Sequence, residues 1–145
     1  MQLDELKDKK IWVCWNWGTR KGKKTKVPIS AYGTETGTDE PHAHTWVTYD
    51  EAVKAAKENG YSGVGFVLPE GYFFLDIDGK ELDDPYVQFL LKWFDSYAER
   101  SVSGTGYHIY GKCDKTKYQP TSTRMESSGW TVCWSSKNVI DRLVL

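Results

Sequence analysis

This 145-residue sequence has few cysteines, no long apolar run and almost no net charge. Its three cysteines, Cys14, Cys113 and Cys133, form no CxxC pair, which argues against a disulfide framework or a cysteine zinc site. No apolar run approaches the roughly 20 residues of a membrane span, and the first residues lack the layout of a signal peptide. We therefore expect a protein of the reducing cytoplasm that neither enters a membrane nor is secreted.

The formal net charge of −1 argues against a generally basic nucleic-acid-binding surface, but the charges are unevenly distributed. Residues 1–26 contain eight Lys or Arg and three Asp or Glu, whereas residues 70–84 contain six Asp or Glu and one Lys. The basic end and the acidic middle therefore need separate explanations.

The basic end contains a dense cluster of cations, bordered by Trp15, Trp17 and Tyr32. Such a segment suits a phosphate backbone whose bases stack on exposed rings, although a solvated hairpin turn explains it equally well. The candidate nucleic-acid-binding residues are Arg20, Lys21, Lys23, Lys24 and Lys26.

Hydrophobic patterns predict an α+β fold, with a largely antiparallel sheet flanked by helices. Residues 1–145 are taken as a single domain because the sequence shows no repeat, low-complexity tract or long linker. A first hairpin is predicted from a strand at 11–15, a charged turn at 20–24 and an apolar segment at 27–29. Residues 64–68 and 72–78 are expected to pair as a second hairpin, and residues 102–110 to form a further strand.

Two helices are predicted from their end signals. In the segment 45–60, Thr48 and Glu51 have the spacing of a capping box and Gly60 is placed to end the helix. In the second helix, Asp84 is the N-cap, Pro85 is the first helical residue, and the apolar spacing continues to about Glu99.

The strongest chemical signal is the DxD sequence of Asp76 and Asp78, which follows a run of apolar residues. On a strand, residues two apart point to the same side, so both carboxylates would share one face. Two such charges repel unless a cation lies between them, and Mg²⁺ or Mn²⁺ prefers oxygen ligands of this kind. The pattern alone is equally compatible with a solvated strand end.

A second signal is the segment Ser103-Gly104-Thr105-Gly106-Tyr107-His108. Its glycines allow close backbone approach to an anion, and His108 is able to donate a hydrogen bond to a phosphate oxygen. Taken alone, a strand histidine is more often a hydrogen-bonded structural residue. His42 and His44 also have a spacing seen in metal sites, but no further ligand completes a zinc set, so a loop is favoured.

Together, the DxD strand, the helix and the Ser-Gly-x-Gly-x-His strand resemble the archaeo-eukaryotic primase superfamily, specifically the primase-polymerase domains of phage and plasmid replication proteins. The segments Trp12–Trp15 and Gly22–Pro28 are similar to that family's N-terminal hairpin. The segment His44–Ala52 is similar to its Trp-containing helix start, and Gly63–Leu68 to the strand before the aspartate pair. The resemblance covers about residues 11–111.

The resemblance implies an RRM-like catalytic core and template-dependent nucleotidyl transfer, with DNA primase and DNA polymerase activity, by a two-metal mechanism. It implies that Asp76 and Asp78 bind Mg²⁺ or Mn²⁺ and that His108 contacts the phosphates of the incoming nucleotide. Ser103, Gly104, Gly106 and Lys112 are the further nucleotide-binding candidates. The implied partners are a single-stranded DNA template with primer, nucleoside triphosphates, and a replicative helicase domain or protein in a bacterial, phage or plasmid setting.

The family also has a third acidic metal ligand on a later strand, for which Glu126 is the candidate. Residues 127–145 depart from the family's usual continuation, which contains an arginine and a Thr-Gly ending, and this suits a fragment of a longer protein. A catalytically weakened module of the same fold, binding single-stranded nucleic acid or nucleotide, is therefore the alternative function. A haloacid-dehalogenase-type phosphatase is disfavoured because Lys80 replaces the expected threonine and the context predicts an antiparallel sheet.

Overall fold

A computed structural model describes residues 1–112 and, beyond them, the backbones of three strands at 123–127, 130–135 and 140–143. Its helices are α1 (Asp4–Lys7), α2 (Tyr49–Asn59) and α3 (Pro85–Phe94), with a 3₁₀ helix at Glu40–Thr45. Its strands are β1 (Trp12–Arg20), β2 (Lys23–Ile29), β3 (Gly63–Val67), β4 (Tyr72–Asp78), β5 (Ala98–Arg100), β6 (Gly106–Lys112), β7 (Thr123–Ser127), β8 (Trp130–Ser135) and β9 (Ile140–Leu143).

The contacts divide the chain into two compact units, each containing one sheet. The first unit comprises Asp4–Val67 with β9, and its strand order is β2-β1-β3-β9. The second comprises Met1–Leu3 and the elements from Leu68 to β8, and its order is β5-β6-β4-β8-β7. Every pair of neighbouring strands is antiparallel, which confirms the predicted α+β class. Of the helices described, none is long and apolar enough to cross a membrane.

The first hairpin is confirmed, and a two-residue loop closes it. Lys21 and Gly22 both have positive φ, 49° and 73°, and Arg20 pairs with Lys23 on either side of them. Positive φ at both loop positions is the conformation whose twist matches that of the flanking strands. The loop therefore sets the register that places the cationic side chains along this hairpin.

Helix α2 begins and ends where the sequence predicts. Thr48 and Glu51 form the capping box, and Gly60 ends the helix with a φ of 67°. Its buried face lies against β1, where the Cys14 thiol contacts the carbonyl of Ala52 at 3.4 Å. Burial raises the pKa of Cys14 to about 11, so the thiol stays protonated at neutral pH and belongs to the core.

Trp12 anchors the core of the first unit. Its side chain is fully buried and its Nε1 donates to the carbonyl of Leu6 at 2.9 Å. The indole ring also contacts Tyr49 and Phe66, with centroids 4.9 and 5.0 Å away. One side chain thus connects the N-terminal turn, α2 and β3.

In the second unit, α3 packs against one face of the sheet. Val87 and Leu90 of the helix join Leu75, Ile77 and Ile109 of the strands in one buried cluster. Asp84 caps the helix by accepting from the backbone N–H of Tyr86 at 2.8 Å. Because side chains alternate along a strand, the residues between these apolar ones lie on the opposite face.

The predicted second hairpin is wrong. β3 pairs with β1 and β9, whereas β4 pairs with β6 and β8 in the other sheet. Residues 69–71 do form a turn, with Gly71 at a φ of 83°, but it joins the two units instead of two paired strands. Both strands are largely buried apolar runs, and such runs carry no information about which strand is the partner.

The predicted extent of the second helix is also wrong. Helix α3 ends at Phe94 because Asp95 adopts a left-handed conformation with a φ of 41°. Glu99, expected near the end of the helix, instead belongs to strand β5. The strand predicted at 102–110 likewise begins only at Gly106, since residues 101–105 form a turn.

Candidate functional site

Asp76 and His108 face each other across two paired strands. Asp76 on β4 is the register partner of His108 on β6, and His108 Nε2 lies 3.5 Å from Asp76 Oδ1. Asp78 follows two residues along β4, opposite Gly106, and is exposed. The alternation that buries Leu75 and Ile77 beneath α3 therefore places both aspartates on the other face.

Asp76 carries an unusual polar atom. Its Oδ1 is buried and has no hydrogen-bond partner among the described residues, since the 3.5 Å approach of His108 lacks hydrogen-bond geometry. A buried carboxylate oxygen without a partner is costly. A divalent cation with a preference for oxygen ligands would satisfy it, so the residues present fit Mg²⁺ or Mn²⁺.

The third carboxylate candidate, Glu126, lies in the same row of the sheet as Asp78. Glu126 on β7 pairs with Thr131 on β8, and Thr131 pairs with Asp78 on β4. Two strand spacings separate the backbones of Glu126 and Asp78 by about 10 Å. Among the residues whose side chains are described, no three His, Cys, Asp or Glu form a metal-binding group. A third ligand at Glu126 therefore stays a prediction.

His108 has a second carboxylate neighbour, Glu99, which the sequence reasoning missed. His108 Nδ1 lies 3.3 Å from Glu99 Oε1, and the two residues are register partners on β5 and β6. Tyr97 and Tyr110 also donate to the same carboxylate, at 2.8 and 3.3 Å. The sequence did not point to Glu99 itself. It did predict that His108 and Tyr110, the two β6 residues that contact Glu99, share a face, and they do.

Several polar groups of the glycine-rich turn before β6 form hydrogen bonds within the turn itself. The Gly104 N–H donates to the carbonyl of Ser101 at 2.8 Å, and Ser103 Oγ lies 2.9 Å from both Ser101 Oγ and Thr105 Oγ1. Gly104 has a φ of 77°, which favours glycine there. Phosphate contacts by Ser103 and Gly104 stay predictions, and the Gly104 N–H already has a partner.

Gly106 has a steric role that the sequence did not reveal. A Cβ at this position would lie 2.3 Å from the carbonyl oxygen of Ile77, so only glycine lets β6 approach β4 beside Asp78. Lys112, by contrast, lies four residues beyond His108 on β6, about 13 Å along the strand. The strand geometry thus separates Lys112 from the His108 position.

The basic hairpin combines cations with aromatic rings. Lys24 Nζ lies 4.3 Å from the centroid of the Trp17 ring, and Lys26 Nζ lies 5.6 Å from that of Trp15. Trp15 is buried, but Trp17 is 43% exposed and Tyr32 is 73% exposed. Of the three predicted stacking rings, two are therefore accessible.

The remaining hairpin cations differ in their surroundings. Arg20 forms an exposed ion pair with Glu35 at 3.3 Å, whereas Lys21 and Lys23 are exposed at the hairpin tip. Arg20 and Lys26 also line an open cavity of about 620 Å³, together with the loop at 35–39 and His42. This surface of the first unit presents both charge and concavity.

His42 and His44 lie in the 3₁₀ helix Glu40–Thr45 and form hydrogen bonds within that segment. His42 Nδ1 pairs with Asp39 Oδ1, and the resulting hydrogen bond lowers the pKa of Asp39. His44 Nδ1 donates to the carbonyl of Pro41 at 2.9 Å. Both Nδ1 atoms therefore have partners within the segment, which is a 3₁₀ helix and not the expected loop; that these histidines hold no zinc stays a prediction.

The phosphatase alternative does not fit the DxD strand. Both described partners of β4, namely β6 and β8, run antiparallel to it, whereas that motif belongs to a parallel sheet. Lys80 pairs with Asp84 at 3.0 Å, and this contact lowers the pKa of the Asp84 carboxyl. Lys80 thus supports the start of α3.

Comparison with known proteins supports the resemblance stated above. The chain is 33% identical, over 106 aligned residues, to a DNA primase-polymerase of Nitratiruptor phage NrS-1. The alignment covers 68% of this chain and 14% of the relative, so the chain spans about one seventh of that protein's length. No protein-family model matches the chain. The similarity nevertheless confirms the resemblance to a primase-polymerase domain.

Proposed function

We propose, on the premise that the chain is a primase-polymerase domain, that it extends a primer on a single-stranded DNA template by nucleotidyl transfer. The observation that carries this proposal is the buried, unpartnered Oδ1 of Asp76, placed beside His108 and two residues from Asp78. The similarity to the phage primase-polymerase supports it independently. Metal use, nucleotide binding and a role in phage or plasmid replication are parts of the proposal.

The proposed metal ligands are Asp76, Asp78 and Glu126. When bound, one or two Mg²⁺ or Mn²⁺ ions would activate the attacking 3′-oxygen and stabilise the leaving pyrophosphate. The sheet keeps the two aspartates on one face, and α3 packs against the other face. The protein thus offers an ordered set of oxygen donors instead of a flexible acidic loop.

His108 is proposed to contact the phosphates of the incoming nucleotide. Its side chain is only 10% exposed, its Nδ1 faces Glu99 and its Nε2 faces Asp76. An N–H at Nε2 would donate to a phosphate oxygen and stabilise negative charge in the transition state. The nucleotide-binding roles of Ser103, Gly104, Gly106 and Lys112 are proposed with it.

Primer extension is the direct test of this function. A labelled primer annealed to single-stranded DNA is incubated with the chain, four deoxynucleotides and either Mn²⁺ or Mg²⁺. We expect template-directed extension that disappears when a chelator removes the cation, because the carboxylate face requires it.

The same assay separates the enzyme from the weakened binding module. A chain that binds nucleotide or single-stranded DNA but gives no extension with either cation would contradict the enzymatic proposal and favour the module. Parallel reactions with ribonucleotides and without primer would identify the preferred nucleotide and any synthesis of primers. A helicase partner stays a prediction.

We further propose that the basic hairpin binds the single strand, with Lys23, Lys24 and Lys26 on phosphates and Trp17 against a base. The Lys24–Trp17 contact pairs one cation with one half-exposed ring, as in sequence-tolerant single-strand sites. Arg20 and Lys21 complete the proposed set of cations.

Replacing Lys24 with alanine should weaken single-stranded DNA binding and lower its salt dependence. Each lost phosphate contact reduces the slope of log K against log salt by about 0.7 for single strands. Fluorescence anisotropy at several salt concentrations measures that slope. Lys57→Ala, at an exposed position of α2, is the matched control, and an equal change in both variants would argue against a hairpin site.

A further inference from the structure

Glu99 is the centre of a hydrogen-bond network behind His108. Its side chain is 15% exposed, and its Oε2 accepts from the Tyr97 hydroxyl at 2.8 Å. Its Oε1 lies 3.3 Å from both the Tyr110 hydroxyl and His108 Nδ1. A carboxylate this poorly hydrated needs donors around it. The two tyrosines supply them and fix the position of the acceptor.

The two ring nitrogens of His108 face different carboxylates. Nδ1 faces Glu99 at 3.3 Å, with hydrogen-bond geometry, whereas Nε2 approaches Asp76 at 3.5 Å without it. A carboxylate only accepts hydrogen bonds, so the nitrogen bonded to Glu99 carries a proton. The partner of one ring nitrogen thereby determines which role the other can take.

The imidazole ring is also held sterically. Two features oppose rotation of the imidazole ring. The Phe74 ring lies against it, with the two centroids 5.1 Å apart, and nine-tenths of the His108 side chain is buried. β5 and β6 are paired at this position, which keeps Glu99 opposite His108. Orientation and protonation are thus fixed by neighbours in the same sheet.

We propose that Glu99 is a positioning residue that holds a proton on Nδ1 of His108 and so presents Nε2 on the Asp76 face of the sheet. The catalytic consequence rests on the proposed function: with one proton held at Nδ1 by Glu99, the second proton of the imidazolium form lies on Nε2, and that N–H would donate to the phosphates of a nucleotide. The tautomer itself does not depend on that function and is measurable without substrate.

Nitrogen NMR of the free protein tests the tautomer. The chain has three histidines, His42, His44 and His108, so a His108→Gln spectrum identifies the ring signals. In the unmodified chain at alkaline pH, where the ring is neutral, we expect the proton on Nδ1. Glu99→Ala should shift it towards the Nε2–H form that predominates in free histidine, whereas Glu99→Gln should retain Nδ1–H because its amide oxygen still accepts.

Primer extension provides the second readout. Glu99→Ala should lower the rate by about 10- to 100-fold, the usual cost of removing such an outer partner, and Glu99→Gln should recover most of it. Glu58→Ala, at an exposed position of α2, is the control and should leave the rate unchanged. The two activity results together distinguish a lost hydrogen bond from a lost charge.

The outcomes separate this inference from the proposed function. An Nε2–H ring in the unmodified chain would overturn it without any variant, even if Glu99→Ala fails to fold. Retention of Nδ1–H in a folded Glu99→Ala chain would overturn it as well. The expected tautomers in a chain that shows no extension would instead support the positioning role and contradict only the polymerase proposal.

Discussion

Replacing Asp76 with asparagine should reduce metal-dependent primer extension by at least about 100-fold while leaving the fold intact. The substitution keeps the size of the side chain but removes the charge that a divalent cation needs, and losses of this order follow the removal of one transition-state contact. Because Asp76 Oδ1 has no hydrogen-bond partner in the described residues, little native bonding is lost. Single-turnover extension with Mn²⁺ and with Mg²⁺ measures the effect.

A matched variant and a second readout sharpen this test. Asp83→Asn removes an exposed carboxylate from the turn before α3 and should extend primers normally. Mn²⁺ should raise the melting temperature of the unmodified chain, since a ligand that binds only the folded state stabilises it, and should raise that of Asp76→Asn less. Extension within about threefold of the unmodified rate would remove Asp76 from the proposed site.

Side chains alternate between the two faces of a strand, and this alternation was enough to predict which face of the sheet carries the candidate site. Asp76 and Asp78 alternate with Leu75 and Ile77 in the sequence, and α3 buries only the apolar pair. The same period placed His108 and Tyr110 on one face, and the structure has them so. Local alternation was sufficient because burial on one side dictates what the other side contains.

Strand partners were not predictable in this way. The turn at 69–71 suits a tight hairpin as well as a connection between sheets, and β3 and β4 are both rich in buried residues. Pairing depends on contacts between residues distant in sequence, such as Asp76 with His108. No local pattern specifies those contacts.

Glu99 was missed because the end of α3 was misjudged. Asp95 adopts a positive φ without being glycine, and the apolar spacing continues to Tyr97, so the helical pattern outlasts the helix. A strand as short as β5, Ala98–Arg100, also has too few residues to show alternation. The most informative neighbour of His108 therefore emerges only from the three-dimensional structure.

Replacing Gly106 with alanine should damage both stability and activity. The added Cβ would lie 2.3 Å from the Ile77 carbonyl oxygen, which is main chain and cannot rotate away. Relief requires β6 to withdraw from β4 by about 1 Å, a displacement able to cost a reaction about 100-fold, and overpacking of this kind typically costs about 1–3 kcal/mol. Chemical denaturation and primer extension measure the two effects.

Gly60→Ala separates the steric effect at Gly106 from the general cost of losing a glycine. Gly60 has a φ of 67° and open space around its Cβ position, so alanine there should cost about 1–2 kcal/mol through backbone strain alone. That variant should lose stability but extend primers normally, because it moves no strand of the sheet that carries Asp76. If Gly106→Ala also retained its extension rate, the spacing of β4 and β6 would not be what holds Asp78 and His108 in place.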